Sequence, residues 1–183
     1  MAINYKEIEF PEGQANLGGL APTGFYGFIA DVITIPVVPV NPATLDEVSV
    51  ISENIVMKPG MQMYPMYGTL EKLRLAGEQQ GERDGRSNKV TLNWFIPGHH
   101  PENLGAARHF PKRRMFFLVR DHEARLRLVG SQYFPAEVAT TDDTGEAVAD
   151  LKGVTYEIGT YSDGPAPIYT GKIPLGNDES AGT

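Results

Sequence analysis

GTLEKLRLAGEQQGERDGRSNKVTLNWFIPG, Gly68 to Gly98, is the stretch that decides how this chain folds. Two arms, residues 68–80 and 86–96, flank GERDG, whose glycines and charged residues favour a chain reversal. In the second arm Val90, Leu92, Trp94 and Ile96 alternate with Lys89, Thr91 and Asn93. A period of two puts one set on each face of a strand, so the arm reads as half-buried. The pair is expected to be a long hairpin with one apolar face and one wet face.

The same reading extends in both directions. Upstream, the apolar run from Gly24 to Ile35 is a strand that gives way at Pro36, Pro39 and Pro42, because proline cannot donate to a sheet ladder. VSVISENIVM, residues 48–57, is a short strand candidate. Downstream, residues 101–110 (PENLGAARHF) are the one good helix candidate: Pro101 suits a first helical position, Glu102 the positive end, and Arg108 and His109 the negative end. Leu104, Ala107 and Phe110 then share a face, and Pro111 stops the helix.

RMFFLVR and RLRLVGS flank the turn DHEA, and YFPAEVATT and VTYEIGTYS flank DDTGE. The closing stretch KGVTYEIGTYSDGPAPIYTGKIPLG, Lys152 to Gly176, reads as a hairpin. In it Val154, Tyr156 and Ile158 alternate with Thr155, Glu157 and Gly159, and Tyr169, Gly171, Ile173 and Leu175 share one parity. The expected fold is mainly β: a β-sandwich or partial barrel with one flanking α-helix and extended hairpin arms. Residues 1–176 are expected to form a single domain, and the polar run 177–183 a flexible tail.

Composition narrows the function. The 183 residues include 20 Gly, 14 Pro and no Cys. Disulfides and thiolate metal sites are therefore impossible, and folding in a cytoplasm fits. MAINYKEIEF has no basic segment leading into an apolar run, and no stretch approaches a membrane span, so a soluble chain without membrane contact is expected. The net charge of −7 disfavours a surface that grips nucleic acid, while suiting one past which DNA slides.

Motifs for chemistry are sparse. His99, His100, His109, His122 and Glu123 are metal-ligand types, but adjacent histidines on a turn seldom point at one ion, and no HExxH is present. Asp142 with Asp143, and Glu82 with Asp84, sit beside glycine in turns and read as solvated, unlike a catalytic carboxylate pair. No GxSxG, P-loop or dinucleotide fingerprint occurs. Neither an enzyme, a cofactor nor a metal is expected.

Two features suggest contacts with other chains. The basic run Arg108 to Arg114, with Lys112, Arg113 and Arg114, stands out in an acidic chain and could face an acidic neighbour, either DNA or, favoured by the net charge, another copy through acidic loops such as that around Asp142 and Asp143. The segment MKPGMQMYPMYG carries Met61, Met63, Tyr64, Met66 and Tyr67 between Pro59, Gly60 and Pro65, which suits either core filling or an interface.

In its order of parts the chain resembles the tail tube proteins of long-tailed bacteriophages and their relatives in contractile injection systems. The likeness rests on the glycine-led first strand NLGGLAPTGFYGFIADV, the hairpin around GERDGRSNKVTLNWFIPG, the helix PENLGAARHF and the closing GVTYEIGTYSDGPAPIYTGKIPL. It implies a virion protein assembled in the host cytoplasm, with six copies closing into a ring and rings stacking into a tube. Inner strands would join into one barrel that conducts DNA without binding it specifically. Partners would be the chain itself and other tail proteins at the tube ends, with Glu78, Glu82, Asp84 and Glu157 as candidates for an acidic channel wall. Two alternatives stay open: another virion part (a head-tail connector, tail terminator or capsid decoration protein), or a small ligand-binding or hydrolytic β-barrel.

Overall fold

The computed structural model describes residues 3–8, 12–13 and 16–176. The expected flexible tail, 177–183, lies outside the described residues. In chain order the strands are β1 (Leu20–Phe28), β2 (Val32–Thr34), β3 (Val50–Ile51), β4 (Val56–Met57), β5 (Tyr64–Tyr67), β6 (Arg74–Gln80) and β7 (Ser87–Pro97), followed by the helix α1 (Pro101–His109). After α1 come β8 (Met115–Asp121), β9 (Leu126–Val129), β10 (Glu137–Asp143), β11 (Gly153–Ser162) and β12 (Ile168–Tyr169).

They make a six-stranded sheet in the order β3-β12-β9-β8-β1-β5, a four-stranded sheet in the order β10-β11-β7-β6, and a two-stranded ribbon of β2 and β4. Among the described residues the fold is mainly β with one short α-helix, as the sequence leads one to expect.

The hairpin that opened the reading is present. Arg74 to Gln80 pair with Asn93 to Ser87, antiparallel and without a register shift. Val90, Leu92 and Trp94 are buried between the two large sheets, while Lys89 is exposed and Thr91 and Asn93 are half-exposed. Trp94 is fully buried and its Nε1 donates to the Tyr67 carbonyl at 2.9 Å. Its ring lies where side chains on two glycines would be: a Cβ on Gly24 or Gly68 would come within 2.8 or 2.6 Å of it. Only glycine admits the indole at that depth.

MFFLV at the start of β8 is buried at every position, which breaks the half-buried alternation. The reason is that both faces of the six-stranded sheet are covered. Met115, Phe117 and Val119 join the core against the four-stranded sheet, and Phe116 and Leu118 join a second core with Phe25, Ile35, Ile51, Met63 and Tyr169. A strand covered on both sides reads as a continuous apolar run.

Three expectations need correction. The stretch 152–176 is not a hairpin: β11 pairs with β10 and β7 in one sheet, whereas β12 pairs with β3 and β9 in the other. Residues 163–167, three of them glycine or proline, carry the chain across the sandwich, so Gly171, Ile173 and Leu175 belong to no strand. The run from Gly24 to Ile35 is not one strand, because a 3₁₀ turn at Ile29–Asp31 ends β1 and starts β2. Residues 48–57 likewise give two short strands in different sheets.

Candidate functional site: the open edges and the ends of the sandwich

The two large sheets treat their borders differently. The six-stranded sheet ends on β3, two residues long, and on β5, four residues with Pro65 inside. Very short strands and proline are the ways edges are blunted against pairing. The four-stranded sheet ends on β10 and β6, each of seven residues, neither containing proline and both in unbroken register with their inner neighbours. Among the described residues no strand pairs with their outer sides, although Ala136, just before β10, bridges to Met115 and Thr140 Oγ1 donates to the Ala107 carbonyl at 3.2 Å.

Every pairing in this sheet is antiparallel. With four strands, β10 and β6 therefore run in opposite directions. Rotating a copy about an axis along the strands would bring its β6 antiparallel to β10 of the first copy, continuing the same ladder.

The outward face of this sheet is wet. The register sets Glu78 opposite Lys89, and Arg74 in one cross-strand row with Asn93, Glu157 and Ala139. Glu78 and Glu157 thus share the face, and Glu82 and Asp84 stand in the β6–β7 turn at its end, all exposed. Asp84 takes a positive φ of 70° there. Cations that the sequence reading did not pair with them, Arg74 and Lys89, dilute the acidity.

Arg108, Lys112, Arg113 and Arg114 are exposed along the end of α1 and the 3₁₀ turn Phe110–Lys112, which packs beside β10. Arg113 Nε donates to His109 Nε2 at 3.2 Å. The helix is fixed by a buried residue the sequence did not single out. Tyr156 Oη donates to Asn103 Oδ1 at 2.7 Å, and Asn103 Nδ2 donates to the carbonyls of Gly98 and Ile96 at 2.7 and 3.3 Å. Burial, then the neighbouring Tyr26, pushes the Tyr156 phenol up to about 12. An asparagine three residues after two histidines carries no periodic signal, so only the fold reveals it.

The Met/Tyr segment divides. Met63 and Met66 are buried in the second and first cores, which removes them from the candidate contacts; they fill the chain's own interior. Met61, Tyr64 and Tyr67 are exposed, the two tyrosines on β5. Asp142 and Asp143 are exposed at the end of β10, where Asp143 Oδ1 accepts from the Gly145 N–H at 2.9 Å. Among the described residues no three His, Asp or Glu side chains gather where they could share an ion.

At the other end of the β10–β11 pair lies an open groove of about 650 Å³. Val37, Val48, Tyr133, Phe134 and Tyr161 form much of its wall, each 44% exposed or more. Arg127 reaches it with Nε donating to the Ala166 carbonyl at 2.8 Å, and burial lowers its pKa, partly offset by Asp121. No helix of the described residues is long and apolar enough to cross a membrane. No family model, curated protein or solved structure matches the chain.

Proposed function

We propose that this protein is a structural subunit of a phage-type tail tube, in which the four-stranded sheets of identical copies join edge to edge into one closed barrel around a DNA channel. The observation that carries the reading is the contrast of borders: β10 and β6 are long, equal and antiparallel to each other, with no strand among the described residues on their outer sides, while the other large sheet is blunted at both ends. Unpaired N–H and C=O groups along such edges call for a partner, and closure removes them.

Six copies, the number the family resemblance implies, give a barrel of about 24 strands. At ~4.8 Å per strand and a tilt of roughly 40° it measures on the order of 48 Å across the backbone, which leaves a bore wider than a duplex. The face turned inward would carry Glu78, Glu157 and Glu137 interspersed with Arg74 and Lys89. A mixed wall with a small acidic excess offers phosphate no continuous cationic track, so DNA slides without sticking.

The test uses proline at two adjacent positions of β6, Glu78→Pro and Gln79→Pro. Along an antiparallel strand consecutive N–H groups point to opposite sides, so one substitution breaks the bond to β7 and the other removes a donor from the open edge. Whichever variant loses only the edge donor is expected to keep the buried Trp94 emission yet form no rings in negative stain, where the unaltered protein is expected to form rings or tubes. Rings from both variants, or none from the unaltered protein at high concentration, would overturn the reading.

A further inference from the structure

The loop 144–152 between β10 and β11 is built to hold an apolar residue in water. Asp150 Oδ2 accepts from the N–H groups of Glu146 and Ala147 at 2.9 and 2.7 Å, and its own N–H donates to the Ala147 carbonyl at 3.0 Å. Those backbone donors hold the Asp150 carboxyl below the usual carboxylate range. The ordered turn displays Val148 with full exposure and Leu151 at 53%. A fixed loop that presents valine to solvent gains nothing from it within one chain.

The groove lies at the opposite end of the same two strands. β11 runs ten residues from the loop to Ser162, which lines the groove, a span of about 30 Å. The loop therefore cannot reach its own groove. The shapes are opposite: a projecting apolar tip at one end and an apolar recess at the other.

Charge points the same way. The tip is bordered by Asp142, Asp143, Glu146 and Asp150. Arg127 in the groove makes no ion pair among the described residues, and the groove's own carboxylate, Asp163, lies beyond ion-pair distance. Asp121 offsets only part of the desolvation of Arg127, so the guanidinium is favoured by a further acidic arrival.

We infer that Val148 of one copy seats in the groove of the next copy along the tube axis, with the acidic flank of the loop turned toward Arg127. A contact between different surfaces at opposite ends of a subunit does not close on itself, so it extends into a stack. This rests on the tube reading and adds to it the surface on which rings meet.

The chain has no cysteine, which makes cross-linking clean. Val148→Cys with Tyr133→Cys, oxidised after assembly, should give a non-reducing ladder in steps of the 20.0 kDa subunit, and neither single variant should. Separately, Val148→Asp should leave rings intact in negative stain and shorten tubes at least tenfold.

Tubes in the micrographs without a ladder would overturn the stacking contact while sparing the tube reading, and would leave the groove for another occupant. Tubes of normal length from Val148→Asp would do the same. Absence of rings and tubes from the unaltered protein would overturn both.

Discussion

Tyr156, in the centre of β11, holds α1 through the side chain of Asn103: its hydroxyl lies 2.7 Å from Asn103 Oδ1, and both residues are buried. Asn103 in turn ties the helix to the carbonyls that end β7. Helix and four-stranded sheet are thus connected by one polar relay inside an apolar core. Tyr156→Phe and Asn103→Ala should each cost about 1–2 kcal/mol: the first removes the relay's donor, and the second strands the Gly98 carbonyl while the hydroxyl keeps the main-chain carbonyl of residue 103 at 3.0 Å. Urea unfolding followed by Trp94 fluorescence checks both values.

The same phenol sets an alkaline limit. Its pKa is raised from 10 to about 12 in the folded chain, so the folded state holds the proton more tightly than the unfolded one. The corresponding stability is complete below pH 10 and is lost as pH rises from 10 to 12, by about 2–3 kcal/mol in all. Stability measured across that window should fall steeply in the unaltered protein. Tyr156→Phe should fall less steeply over the same range.

Trp94 against Gly68 and Gly24 gives a packing test. A methyl group on Gly68 would meet both the indole and Leu73 at 2.6 Å, and neither buried side chain has room to retreat. Gly68→Ala should destabilise by about 1–3 kcal/mol and shift the emission of the single tryptophan to the red. A wild-type melting curve with unchanged emission would contradict this packing.

The outward face of the four-stranded sheet is predicted to keep DNA from sticking. Glu78→Lys with Glu157→Lys changes the formal charge of that face by four without touching either core. Assembled protein carrying both changes should retain short duplex DNA in a way that weakens sharply from 50 to 200 mM salt, whereas the unaltered protein should retain none. Equal retention by the two would place this face away from the channel.

How much of this was legible in the sequence depends on how local the signal was. The β6–β7 hairpin was readable because a strict alternation met a glycine-rich turn, and α1 because Pro101 and Pro111 bracket it. The closing stretch misled for a physical reason: two apolar runs with a glycine and proline linker look alike whether the linker folds back or crosses to another sheet. Sheet membership is decided by long-range pairing, which the sequence of one segment does not contain.

The site followed the same division. Exposure of the acidic and basic residues was foreseeable from charge. For the Met/Tyr segment core filling and an interface were both open, and which residues turn inward was not foreseeable: Met63 enters a core made with distant segments such as Ile51 and Tyr169, and Met66 the core between the two large sheets. The open edges that carry the functional reading became identifiable only once strand order was known.

Cryo-electron microscopy of the purified, concentrated protein bears most directly on whether identical copies finish this sheet. The expected result is a ring in which β10 of each subunit runs antiparallel to β6 of its neighbour at ~4.8 Å. A dispersed 20.0 kDa monomer, or a ring whose subunits meet elsewhere and leave β10 and β6 facing solvent, would contradict it.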